Sequence, residues 1–164
     1  MILYEEIFRE FKKQKVKYVL TGGMAFNFLG GYRNTLDMDI LVEMTDKNLF
    51  KLVNILEKAG YHVKQPVDPV LLADKKTRMD WIKNKHMKAF NFYKGNELNY
   101  EEIDILIDSS VDYKEAIKGA LDVKAGGLTL KVISVSKLIK MKKAAGRDID
   151  LMDVRNLELL RNSK

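Results

Sequence analysis

Val19-Leu20-Thr21-Gly22-Gly23-Met24, followed by Leu36-Asp37-Met38-Asp39-Ile40-Leu41-Val42, decides how this chain is read. An apolar run meets a glycine pair, and a second apolar run carries two acids one residue apart. The first predicts a buried strand and a tight turn opening a short helix; the second predicts another strand. Side chains at i and i+2 of a strand point to one face, so Asp37 and Asp39 stand side by side. Adjacent carboxylates repel unless something positive sits between them. A divalent cation that prefers oxygen ligands meets that need, with Mg²⁺ holding substrate phosphates a frequent case. The glycine pair lets backbone N–H groups approach a ligand closely, and a helix start favours an anion. A phosphate cradle beside paired acids points to chemistry on a nucleoside triphosphate.

Upstream, Leu3, Ile7, Phe8 and Phe11 recur at helical spacing and predict an amphipathic helix over Ile2 to Lys15, with a strand over Lys17 to Thr21. The short helix runs from Gly22 to Leu29 and stops at Gly30-Gly31. After the acid-bearing strand, Thr45 or Asp46 caps a helix to about Ala59, and a strand is expected over Tyr61 to Gln65. Pro66 and Pro69 bound a break, and Val70 to Lys85 reads as either a helix or an irregular basic segment. Met87 to Tyr93 alternates, Gly95-Asn96 marks a hairpin, and Glu101 to Ile107 is its partner strand. A helix over Val111 to Ala120, a turn at Gly126-Gly127, a strand over Leu128 to Ile133, and helices to Ala145 and from Arg147 to Arg161 complete the chain. Strands and helices alternate around a hairpin, which predicts an α+β fold with a central mixed sheet flanked by helices.

The partner strand carries the third acid. Ile103, Ile105 and Ile107 share one face, and Asp104 lies on the other with Glu102 and Asp108. A carboxylate in so apolar a run is costly unless paired or bound to a metal. If this strand neighbours Asp37 and Asp39, three carboxylates converge and two metal ions could be bridged. Asp104 could also accept a nucleophile's proton.

Composition bounds the partners. The 164 residues fit one domain, 1–164, with a real core. There is no cysteine, which excludes disulfides and thiol chemistry. The acidic start is too short in apolar run for a signal peptide and no stretch reaches membrane-span length, so a cytoplasmic protein is expected. The net charge of +6 is clustered: Lys75, Lys76, Arg78, Lys83, Lys85 and Lys88 form one group, Lys137, Lys140, Lys142, Lys143 and Arg147 another. These suit a phosphate-binding surface or are solvated helix faces.

The glycine pair, Asp37-Met38-Asp39 and the later Asp104 together resemble the nucleotidyltransferase superfamily typified by DNA polymerase beta. Tyr18 to Ala25, Arg33-x-Thr35-x-Asp37-x-Asp39, and Lys142-x-x-Ala145-Gly146-Arg147-x-x-Asp150-x-x-Asp153 are similar to its small prokaryotic AbiEii-like branch, which includes toxin-type enzymes. Thr21 and the Asp148-Ile149 pair depart from that branch's pattern. The resemblance implies Thr21, Gly22 and Gly23 around the triphosphate, with Arg33, Thr35, Lys142 and Arg147 as further nucleotide-binding positions. It implies Asp37, Asp39 and Asp104 as catalytic ligands of two Mg²⁺ (or Mn²⁺) ions. The implied reaction moves a nucleoside monophosphate from an NTP such as ATP to an acceptor hydroxyl, releasing pyrophosphate. RNA or a tRNA end, a protein or a small molecule is the acceptor, and an antitoxin protein is a further expected partner. The alternative is a non-catalytic nucleotide- or RNA-binding module that kept the scaffold.

Smaller readings accompany these. Asp150 is expected to pair with Arg147 on its own helix. Asp153 has no basic residue at helical spacing and is expected in solvent. Trp81, Phe90, Phe92 and Tyr93 either pack in the core or stack on a base.

Overall fold

The structure, a computed structural model, describes residues 2–163. Helix α1 (Glu5–Gln14) buries Ile7, Phe8 and Phe11, and its acidic first turn and basic last turn suit the helix dipole. Strand β1 (Tyr18–Thr21) is buried throughout, and α2 (Gly22–Phe28) follows without a break. Strand β2 (Asp37–Val42) leads to α3 (Asp46–Lys58), whose first turn is capped by Thr45. The short β3 (His62–Val63) is followed by a 3₁₀ turn (Pro69–Ala73) and α4 (Lys75–Lys85). Strands β4 (Ala89–Lys94) and β5 (Glu101–Leu106), α5 (Tyr113–Ile117), and strands β6 (Leu121–Ala125) and β7 (Leu128–Val132) come next. Helices α6 (Val135–Ala145) and α7 (Asp148–Asn162) end the fold.

The strands form one mixed sheet in the order β3-β4-β5-β2-β1-β7-β6. β1 runs antiparallel to β2 and parallel to β7; β2 runs parallel to β5. Register divides the sheet into two unlike faces. Tyr18, Leu20, Met38, Ile40, Ile103, Ile105, Phe90 and Phe92 are all buried and share one face by cross-strand pairing. There the rings of Phe8 and Phe11 pack on Tyr18, and Trp81 stacks on Phe90 at 5.4 Å. Trp81, Phe90 and Phe92 are thus core residues, which removes them as base-stacking platforms. The other face carries Asp37 and Asp39 on β2, Glu102 and Asp104 on β5, and Asn91 and Tyr93 on β4.

Three local expectations change, and one strand is added. The helix expected to Ala120 ends at Ile117, because Gly119 takes a left-handed conformation at φ +75. Leu121 to Ala125, to which no strand was assigned, forms β6, paired antiparallel with β7. The strand expected over Tyr61 to Gln65 is reduced to two residues, where β3 meets β4 at the sheet edge. Val70 to Lys85 splits at Asp74, whose carboxylate accepts from the Thr77 N–H at 2.9 Å and starts α4.

Candidate active site

Parallel pairing of β2 with β5 sets Asp39 beside Asp104 and Asp37 beside Glu102. The third acid therefore stands abreast of the first two, on their side of the sheet. Burial, then the charges of Asp104 and Asp37, push the Asp39 carboxyl up to about 7, against the pull of Lys142 and Arg147. Asp104 is pushed up to about 6, chiefly by burial, with Glu102 and Asp37 adding to it. Asp37 is raised for the same reasons, burial first and Glu102 second.

Asp104 is held by Asn91, and Asn91 in turn by Gln65, neither of which the motifs single out. Asn91, its register partner on β4, donates from Nδ2 to Oδ1 at 2.5 Å. The Asn91 Oδ1 in turn accepts from Gln65 Nε2 at 2.6 Å. The only hint in the chain is one polar residue between Phe90 and Phe92, which reads equally as a solvent-facing strand position.

The glycine pair is fixed by close approach. Gly22 adopts φ +66, and a Cβ there would overlap the Asp39 carboxylate. A Cβ on Gly23 would lie 2.8 Å from Thr35 Oγ1. Thr35 therefore packs against the turn. The Thr21 side chain is buried and points at Met141 of α6, with Oγ1 3.4 Å from Sδ. Gly22→Ala is expected to displace the Asp39 carboxylate and to abolish metal-dependent NTP binding in a calorimetric titration, with circular dichroism unchanged.

A buried charge network closes the opposite wall. Lys142 of α6 is 5 % exposed, and its Nζ lies 2.7 Å from Asp153 Oδ2 and 3.7 Å from Asp150 Oδ1. Arg33, on the loop before β2, reaches the same Asp153 oxygen at 2.9 Å. Arg147 bonds Asp150 at 2.7 Å, as expected from their spacing. Asp153 corrects its expectation: it is 4 % exposed, not solvated. Its partners come from another helix and a distant loop, beyond the reach of a search along its own helix. Lys142 is likewise no solvated lysine.

These elements surround one cleft of about 800 Å³, lined by Thr21, Gly22, Gly23, Arg33, Thr35, Asp37, Asp39, Asp104, Lys142 and Arg147. Every residue singled out as a site position thus reaches the same cavity. Lys88, Asp108 and Ser109 also line it, with Lys88 Nζ 2.6 Å from Asp108. Among the described residues, no three Asp, Glu, His or Cys side chains form a ready cage for a metal ion. Mg²⁺ at nucleotide sites takes only one or two protein carboxylates and fills its shell with phosphate oxygens and water. Asp39 and Asp104, all-oxygen donors whose charges oppose each other when both ionise, fit that requirement.

The raised carboxyls give a testable pH dependence. Their folded values lie above the unfolded carboxylate value of 3.8, so the folded state holds protons that the unfolded state has lost. Stability is full at low pH and declines as pH rises through about 6 and 7. The melting temperature of protein in EDTA is therefore expected to fall between pH 5 and pH 8, and added Mn²⁺ to restore more of it at pH 8 than at pH 5.

The sheet, the glycine turn against a two-acid strand and the third acid abreast are the features on which the resemblance to nucleotidyltransferases rests. A family model for aminoglycoside-2''-adenylyltransferase matches residues 4–157. The chain belongs to that family, and so to the nucleotidyltransferase superfamily. No curated protein matches it. Among solved structures, it is similar to the aminoglycoside enzyme ANT(2'')-Ia in complex with adenylyl-2''-tobramycin, at 18 % identity and TM-score 0.61, over 98 % of this chain and 94 % of that one. The lincosamide antibiotic adenylyltransferase LnuA, lincomycin-bound, is similar at 17 % identity and TM-score 0.59, over 94 % of each chain. A proposed nucleotidyltransferase from Thermotoga maritima aligns at 17 % identity and TM-score 0.53, over 97 % of this chain and 90 % of that one. At these identities the likeness is one of fold. No helix among the described residues is long and apolar enough to cross a membrane.

Proposed function

We propose that residues 1–164 act as one cytoplasmic nucleotidyltransferase domain that moves the nucleoside monophosphate of an NTP, ATP in first place, to a hydroxyl of a small acceptor. The observation that carries this reading is the register of Asp39 with Asp104, in a cleft whose glycine turn lies against Asp39. Asp37, Asp39 and Asp104 would hold two Mg²⁺ or Mn²⁺ ions, which supply charge stabilisation of the phosphates and activation of the incoming oxygen. The Gly22 and Gly23 amides, with Thr35 beside them, position the triphosphate. Lys142 and Arg147 face it with positive charge, and the buried network fixes their place. The acceptor oxygen forms a bond to the α-phosphorus, the bond to pyrophosphate breaks with its electron pair leaving on pyrophosphate, and the hydroxyl proton passes to Asp104.

Family membership and the adenylylated tobramycin in the ANT(2'')-Ia complex support a small hydroxylated acceptor. The charge that favoured RNA is partly consumed inside the fold. Lys137 donates to the Glu115 and Lys118 carbonyls, Lys140 pairs with Glu115, Lys143 with Glu158, and Lys142 is buried. A second reading draws on α4, where Lys75, Lys76, Lys83 and Lys85 are exposed. On it the acceptor is RNA or a tRNA end, and the AbiEii-like, toxin-type role with an antitoxin partner follows.

Incubation with Mg²⁺, ATP labelled at the α-phosphate, and in turn tobramycin, lincomycin and total RNA tests both readings. Label in the small-molecule fraction with stoichiometric pyrophosphate supports the first; label in RNA moves the assignment to the second. Nucleotide binding without pyrophosphate release in any mixture would establish a non-catalytic module.

A further inference from the structure

We infer that Gln65 and Asn91 are positioning residues for Asp104: together they form a one-way chain of hydrogen bonds that presents only a donor to one oxygen of that carboxylate and leaves its other oxygen for the chemistry. The inference rests on the nucleotidyl-transfer reading above and adds two residues to its machinery. Neither lines the cleft, so neither would touch a bound nucleotide; both act from behind Asp104.

Covalent structure sets the direction of the chain. A side-chain amide can turn over and exchange its donor and acceptor ends, so Asn91 alone could face Asp104 with either. A backbone N–H can only donate. That of Asn91 donates to Gln65 Oε1 at 3.1 Å. The Gln65 Nε2 group is thereby turned to Asn91 Oδ1 at 2.6 Å and to the Ala89 carbonyl at 3.5 Å. With its Oδ1 engaged, Asn91 has Nδ2 left for Asp104, and donates to that carboxylate at 2.5 Å. The backbone keeps Gln65 in place. Just past the end of β3, the Lys64 N–H donates to the Asn91 carbonyl at 2.9 Å, and Pro66 restricts residue 65 to extended conformations.

The need for such a lock follows from where Asp104 stands. Register places it between Asp39 on β2 and Asn91 on β4. On one side its neighbour is a like charge that repels it; on the other the amide draws it. An amide turned over would set an oxygen against the carboxylate from that side too. A hydrogen bond to a charged group is worth roughly ten- to a hundredfold in an equilibrium or a rate, enough to decide how Asp104 is held.

Substitutions in the full chain separate this from a merely structural amide pair. Activity is read as kcat and as KM for ATP, with tobramycin, lincomycin or total RNA as acceptor, whichever takes the label. Asn91→Leu removes the donor and is expected to lower kcat about thirtyfold. Its KM for ATP, and its affinity for the non-hydrolysable analogue AMPCPP, are expected to stay at the wild-type values. Gln65→Glu still accepts from the Asn91 N–H but offers a second acceptor to the Asn91 side chain, so that amide turns over and kcat also falls about thirtyfold. Gln65→Met loses both hydrogen bonds yet leaves Asn91 free to face Asp104 with its donor, and lowers kcat only about threefold. A structural role predicts the reverse order for the two Gln65 variants, since Gln65→Met loses more bonds. Adding Gln65→Glu to Asn91→Leu is expected to lower kcat no further, whereas a through-space effect of the new charge would multiply the losses. Orientation is read without turnover in isotope-labelled, metal-free protein. The Asn91 side-chain amide protons are expected to show NOEs to the Asp104 Hβ protons in wild type and Gln65→Met, and to the side chain at position 65 in Gln65→Glu. Wild-type kcat in Asn91→Leu, Gln65→Met slower than Gln65→Glu, multiplied losses in the double variant, or the same NOEs in both Gln65 variants would each overturn the inference and leave the transfer reading standing. Absence of Mg²⁺-dependent AMPCPP binding or of pyrophosphate release in wild type would bring down both, and these are measured first.

Discussion

Asp39→Asn is expected to lower nucleotidyl transfer by at least about a thousandfold, equivalent to roughly 4 kcal/mol of transition-state stabilisation, and yet to raise the melting temperature of the metal-free protein at pH 8. Both effects have one origin. Asp39 is held among Asp37 and Asp104 in a largely buried position, which pushes its carboxyl up to about 7. Without cations, ionising it above that pH opposes folding. The shift from 3.8 bounds the penalty at about 4 kcal/mol by 1.36 kcal/mol per pH unit. An amide keeps the shape and removes the charge, so the metal-free protein gains stability while the proposed metal ligand is lost. Asp37→Ala is expected to abolish turnover as well, with a smaller gain in stability because Asp37 is the more exposed of the pair. Quantified transfer of labelled AMP and scanning calorimetry in EDTA check the two arms. Wild-type turnover in either variant would remove these acids from the chemistry.

The second large effect is expected at the buried charge network. Asp153→Leu leaves Lys142 inside the protein with only the longer contact to Asp150, and leaves Arg33 without its carboxylate. Breaking one side of a buried pair typically costs about 3–5 kcal/mol, which for a chain of this size lowers the melting temperature by roughly 6–20 °C. Lys142→Met combined with Asp153→Leu is expected to recover much of that loss, since the buried charge and its counter-charge go together. On the proposed function the double variant is nevertheless expected to lose most activity, because Lys142, one of the two positive groups assigned to the triphosphate, is gone. Thermal unfolding of both single variants and the double, set beside transfer assays, separates the structural part of the network from the functional part.

How much could be read from the chain depended on whether a signal was local. Asp37 and Asp39 share a face because a strand repeats every two residues, and the glycine turn announces itself by composition. An apolar strand interrupted by one acid marks Asp104 in the sequence, but its place abreast of the pair depends on β5 lying beside β2, which the sheet order supplies. Asp153 shows where such reading ends. Its partners, Arg33 and Lys142, are distant in sequence and meet it only because α7 packs on α6 and the loop before β2 folds back. Asn91 and Gln65 escaped for the same reason, since a lone amide in a strand looks like any solvent-facing position until the register with Asp104 is known. Strand β6 alternates Leu121, Val123 and Ala125 with Asp122 and Lys124, yet five residues between a helix and a glycine turn are too short a run to stand out, and the strand lies at the sheet edge, paired to β7 alone. Gly22 was legible as a turn, but not as the residue whose missing Cβ makes room for the Asp39 carboxylate.

The most direct measurement is an isothermal titration of AMPCPP into wild type and Asp39→Asn, each with Mg²⁺ and with EDTA. Tight binding by wild type only when Mg²⁺ is present, and its loss in Asp39→Asn, is the expected result. Equal binding with and without the metal, unchanged by the substitution, would contradict a carboxylate-held metal–nucleotide site in this cleft.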